Sequence, residues 1–131
     1  MGFDLFIHSY KGDEPALYDR RLLEDIFNRD AIDPTSPLSE VRYADGRGEV
    51  YGADDDQING IMLSHFGGRT IVERAFELAD KTKALICWPG EEVFMAVTNR
   101  EVLDHLPTEV DQETVAVVAH VDELIAVIGL I

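Results

Sequence analysis

Residues 58–99 decide how this chain reads: INGIMLSHF (58–66), GGRTIVERAFELADKT (67–82), KALICW (83–88), PGEE (89–92) and VFMAVTN (93–99). The first segment is apolar and β-branched, a strand, and Gly60 inside it marks a bulge or a close contact. The second carries Ile71, Ala75, Leu78 and Ala79 at helical spacing, with Val72 and Phe76 flanking them. Thr70 and Glu73 have capping-box spacing, so the helix is expected to start there and run to about Lys81. Ala84–Trp88 is a short, continuous apolar run, a buried strand. Pro89-Gly90 turns the chain, and Val93–Val97 returns as the hairpin partner.

Outward from this stretch, Phe3–Ser9 alternates Phe3, Leu5 and Ile7 against Asp4, Phe6 and His8. That is a strand, and Phe6 on its second face makes it a central one. Asp19 is the expected N-cap of a helix over Arg20–Asn28, whose stripe is Leu22, Leu23, Ile26 and Phe27. Pro34 and Pro37 place residues 32–39 in a loop. Glu40–Ala44 and Glu49–Ala53 are expected strands about a DGRG turn, with Tyr43 and Tyr51 paired across them. Thr98 or Asn99 caps a short helix, Arg100–His105, that Pro107 stops. Thr114–Ala119 is a last strand, and Val121–Ile128 a last helix facing inward through Leu124, Ile125 and Ile128.

The order is β-α-β-β-β-α-β-β-α-β-α. Short turns between neighbouring strands predict an α+β fold: one domain over 1–131, with a mostly antiparallel sheet of about 6–7 strands and 3–4 helices. A chain of this length buries roughly two-thirds of its unfolded surface, enough for a core.

The chain has 26 Asp and Glu against 11 Lys and Arg, a formal charge of −15. That field repels nucleic acid and anionic membrane surfaces and favours a cationic partner, a metal or simply solubility. The single cysteine, Cys87, cannot close an internal disulfide, which fits a reducing cytoplasm. The N-terminus lacks the basic and apolar regions of a signal peptide, and no apolar run reaches ~18 residues.

Few motifs carry chemistry. Gly67-Gly68-Arg69-Thr70 joins a strand to a helix N-terminus, where a phosphate can bind, yet it matches no phosphate-loop signature. In a calcium-loop alignment Asp55, Gln57, Asn59 and Gly60 fit, but Phe66 occupies the twelfth slot, where a Glu is required. Cys87 sits in ALICW without a catalytic context and reads as a structural thiol. No cofactor motif occurs, so none is expected. His8 and His65, near the ends of two strands, could act together as acid and base, or as metal ligands, with Asp4 or Asp55. The acidic rim Glu49, Asp54, Asp55 and Asp56 could instead contact a basic protein.

The opening GFDLFIHSY (2–10), the middle YGADDDQINGIMLSHFGG (51–68) and ALICWPG (84–90), with a late His105-Leu106-Pro107, resemble a family of small bacterial proteins to which no activity is assigned. In general character the chain is similar to acidic immunity proteins that neutralise a toxin. The resemblance brings no activity and no functional residue. Three readings follow: a cytoplasmic binding module for a basic protein; an enzyme or metal protein built on His8 and His65; and a domain that pairs with a second copy, as a homodimer, through an edge strand.

Overall fold

The computed structural model describes residues 4–12, 14–32, 40–89 and 94–129. The expected strand start at Phe3, most of the 32–39 loop, Gly90 of the expected turn and Val93 lie outside these residues. In chain order the elements are β1 (Leu5–Lys11), β2 (Glu14–Pro15), β3 (Tyr18–Asp19), α1 (Arg20–Asn28), β4 (Val41–Tyr43), β5 (Gly46–Tyr51), β6 (Gln57–Ile58), β7 (Gly60–Gly67), α2 (Arg69–Thr82), β8 (Ala84–Cys87), β9 (Met95–Val97), β10 (Val115–Val117) and α3 (Val121–Ile128). Two 3-10 turns, Arg100–His105 and Gln112–Thr114, precede β10. Without the two-residue strands, and with the first 3-10 turn in the place of the expected short helix Arg100–His105, this is the order the sequence predicts.

The main sheet runs β10-β9-β8-β1-β7-β5-β4, with β2 attached to β1. β1 is central, as its two-sided pattern requires. Leu5, Ile7 and Ser9 are buried on one face, while Phe6, His8 and Tyr10 are half-buried on the other. The sheet is antiparallel except at β9–β10, where Val115 pairs with Met95 in parallel. A parallel neighbour needs a crossover, and residues 98–114 supply it.

The helices pack on one face. Leu23, Ile26 and Phe27 of α1, Ile71, Ala75 and Leu78 of α2, and Leu124 of α3 share a core with Leu5, Ile7, Leu63 and Ile86. Each Leu, Ile or Phe side chain among them stabilises the fold by roughly 1.5–3 kcal/mol through removal from water, and Ala75 by less. A smaller cluster on the opposite face joins Leu85, Met95, Val97 and Val115 to Val102 and Leu106 from the crossover. Among the described residues the crossover therefore covers β8–β10, while the β1–β7–β5 half of that face carries Phe6, Met62 and Tyr51.

Asp19 caps α1, its carboxylate accepting from the Arg21 amide at 2.8 Å. Near the other end of α1, the buried Tyr43 hydroxyl donates to the carbonyl of Phe27, one of the last carbonyls of the helix. Asn59 ties the short strands to β1, its Nδ2 donating to the Ser9 and Ala16 carbonyls at 2.8 and 3.3 Å.

Three local expectations are corrected. The β4–β5 turn is Ala44-Asp45, not DGRG, and Tyr43 pairs with Gly46. Gly46 and Gly48 belong to β5 because neighbours press on them. A Cβ on Gly46 would collide with the Gly67 carbonyl, and one on Gly48 would meet Ile71 Cδ1 at 2.5 Å. Tyr51 consequently pairs with Met62, not with Tyr43. Finally, α2 starts at Arg69 after Gly68, with no side-chain cap from its own N-cap residue. Glu73 bonds the Arg69 guanidinium instead of closing a capping box.

Candidate functional site

The sheet brings four polar side chains together at the β5–β7 junction. Glu49 lies opposite Ser64, and the register slips between Arg47 and Glu49. His65 absorbs that irregularity with φ of 49°, a left-handed conformation uncommon in residues other than glycine. Its imidazole thereby reaches Glu49, Nδ1 lying 2.9 Å from Oε1. The Tyr51 hydroxyl donates to the same oxygen at 2.8 Å. Ser64 Oγ lies 3.2 Å from the same Nδ1. Glu49 titrates below the usual carboxylate range, chiefly through its bond to His65 and next through Tyr51.

This geometry limits the chemistry. A serine nucleophile needs one imidazole nitrogen for itself and the other for the carboxylate. Here Ser64 and Glu49 converge on Nδ1, so the cluster is not a nucleophilic triad. With Nδ1–H donating to Glu49, Nε2 carries the imidazole's remaining acid–base or ligand capacity. His65 is 72% exposed, so water is not excluded there. The arrangement fixes an aromatic, hydrogen-bonded surface more plainly than it builds a reaction centre.

His8 and His65 are not brought together. His8 pairs with Gly60 across antiparallel strands, and His65 stands five positions further along β7. At roughly 3.3 Å per residue that is about 16 Å. Their shared place near strand C-termini misled, because antiparallel neighbours put those ends at opposite edges. His8 stacks on Phe6, ring centroids 6.4 Å apart, and its ring fills the space over Gly60. That is the close contact Gly60 signalled.

Asp54, Asp55 and Asp56 are exposed in the loop before β6. Asp56 pairs with Arg20 at 3.5 Å, and the Asp54 carbonyl accepts from the same guanidinium at 3.3 Å. Glu49 stands apart, on the sheet. Asp55 joins neither histidine in a ligand set, and among the described residues no three His, Cys, Asp or Glu side chains are grouped to hold a metal. A polar depression of about 300 Å³ lies beside this loop, lined by Asp19, Arg20, Arg21, Glu24 and Asp56.

An anion does sit at the Gly67–Thr70 turn, and it belongs to the chain. Asp45 Oδ2 accepts from the Arg69 and Thr70 amides. Cys87 faces the second apolar cluster, and burial pushes its thiol up to about 11. No family model, curated protein or solved structure matches the chain.

The Glu49–Tyr51–Ser64–His65 cluster was not legible as a unit. The sequence flags His65 and Glu49 separately, but their meeting depends on a register slip and one left-handed residue. Among the described residues no helix is long and apolar enough to cross a membrane.

Proposed function

We propose that this protein is a non-catalytic binding module whose acidic surface engages a basic protein, a toxin enzyme being one partner of suitable chemistry. One observation carries the reading. Arg20, Arg29, Arg42, Arg47, Arg69, Arg74, Lys81 and Lys83, eight of the 11 Lys and Arg, already lie within 4.0 Å of the chain's own carboxylates. With 26 acids in all, the surplus left for a partner is carboxylate. Complementary charge of this kind mainly accelerates association and selects partners.

The test starts with affinity capture on the intact protein and identification of what is retained. The purified prey is then titrated at low and high salt. The reading expects a basic prey whose association rate falls steeply as salt rises, because screening shortens the reach of the field. An acidic prey, a salt-indifferent rate, or no specific prey removes it.

A further inference from the structure

We infer that the half of the sheet, opposite the helices, that no described segment covers is the docking surface, and that its occupant is a partner segment presenting Lys or Arg beside apolar side chains. The inference rests on the basic-partner reading above and names the place and the chemistry. It moves the contact from the Asp54–Asp56 loop to the sheet.

Three observations support the place. Tyr51 pairs with Met62, and Met62 pairs with Phe6, so one apolar row crosses β5, β7 and β1. Tyr51 is 47% exposed, and Phe6 and Met62 are half-buried. The crossover that seals β8–β10 joins its cluster to Leu85, Met95 and Val97, not to this row.

The chemistry comes from what borders the row. Glu49 lies beside Tyr51, and Asp4 immediately precedes β1. The Tyr51 hydroxyl is held above its usual range first by its bond to Glu49 and then by that carboxylate's charge, with Asp4 adding to it. Both described donors to Glu49 use Oε1. Among the described residues nothing donates to Oε2, which can meet an incoming cation. The neighbouring Arg47 lies 4.0 Å from Glu40 and also acts on Glu49 through its charge, without a hydrogen bond to it among the described residues. A guanidinium or ammonium can therefore meet carboxylates and aromatic faces at once, while its aliphatic stem lies on Met62. Tyr51 is already fixed by its hydrogen bond, which lowers the entropy cost of using it as an anchor.

The probe is a synthetic peptide of alternating arginine and leucine, titrated into the isotope-labelled full chain at low salt. Controls replace arginine by glutamate, or leucine by serine. Amide shifts are expected to concentrate on residues 4–8, 49–51 and 60–65, with both control peptides binding more weakly. Met62→Lys and Tyr51→Ser, each checked for a folded spectrum, are expected to weaken binding about tenfold, as central anchors do. The triple variant Asp54→Asn, Asp55→Asn, Asp56→Asn should change it less. Shifts confined to the 54–56 loop, with loss of binding in the triple variant alone, overturn the sheet surface and leave the basic-partner reading standing. No binding of the arginine peptide overturns both.

Discussion

Asp45 caps a helix that begins 24 residues later: its Oδ2 accepts from the Arg69 amide at 2.9 Å and the Thr70 amide at 3.0 Å. The β4–β5 turn is thus fastened to the start of α2. Gly68, with φ of 95°, lets the chain turn tightly enough for the two amides to face that carboxylate. The same bonds hold the Asp45 carboxyl below its ordinary range, the Thr70 amide contributing most.

Asp45→Ala is therefore expected to lower unfolding free energy by about 1 kcal/mol, the usual cost of losing a capping side chain. Asp45→Asn should recover part of that, since an amide oxygen still accepts but carries no charge toward the helix dipole. Urea unfolding of the three proteins decides it. Equal stability of the alanine variant and the wild type would show that the cap contributes nothing.

His65 stores strain in its backbone. A left-handed residue with a Cβ costs roughly 1–2 kcal/mol relative to glycine. His65→Ala and His65→Gly both delete the imidazole bond to Glu49, so their difference isolates the backbone. The glycine variant is expected to be more stable by about 1 kcal/mol. If alanine proves as stable as glycine, the left-handed conformation is not what the solution structure adopts.

Local signals carried most of the fold. Asp19, the Leu23–Ile26–Phe27 stripe, the Ala84–Cys87 run and the terminal helix were legible because each depends on neighbours within a turn or two. Asn99, whose side chain accepts from the Glu101 amide, was legible for the same reason. Long-range relationships were not. The Thr70–Glu73 spacing suggested a capping box, but Asp45 from another segment satisfies the helix and Arg69 takes Glu73. The parallel β9–β10 pair depends on a crossover whose 3-10 turn lacks a long helical pattern. Glycines in DGRG looked like a turn, although Gly46 and Gly48 are strand residues that make room for Gly67 and Ile71. The proposed docking surface combines both kinds of information: Phe6 and Tyr51 were singled out in the sequence, and only the register lines them up with Met62.

Acid should weaken the link between α1 and α2. Arg29 grips Glu77 through two hydrogen bonds, at 2.6 and 2.8 Å. The Glu77 carboxyl is lowered chiefly by that bond, with Lys81 adding to it. A carboxyl whose folded pKa is depressed contributes stability above its unfolded pKa and loses it as pH falls through the folded value. The contribution should be complete at neutral pH and decline below the ordinary Glu range of about 4.3. Glu77→Gln should be less stable than wild type at neutral pH, and the gap should narrow in acid. Urea midpoints for both proteins across that range check this. The paired comparison cancels the relief of repulsion felt by every other carboxylate. A gap that stays constant with pH would mean that ionisation of Glu77 is not linked to folding.

Cys87 should be a poor nucleophile while the chain is folded. It pairs with Phe6 on one side and Met95 on the other, so its thiol sits in the apolar part of the sheet. Burial pushes the thiol up to about 11 from its ordinary 9.0, which leaves almost no thiolate at neutral pH. Alkylation requires the thiolate, so its rate follows that population as well as access. Iodoacetamide at pH 8 is expected to label the native protein at least tenfold more slowly than the urea-unfolded chain: the two-unit pKa difference lowers the thiolate population about a hundredfold, and the greater nucleophilicity of the more basic thiolate returns part of that before access is counted. The native rate should keep rising above pH 9, where labelling of the unfolded chain levels off. Mass spectrometry of quenched samples measures both rates. Rapid labelling of the native protein at neutral pH would place Cys87 in an activated environment and return a nucleophilic role to consideration.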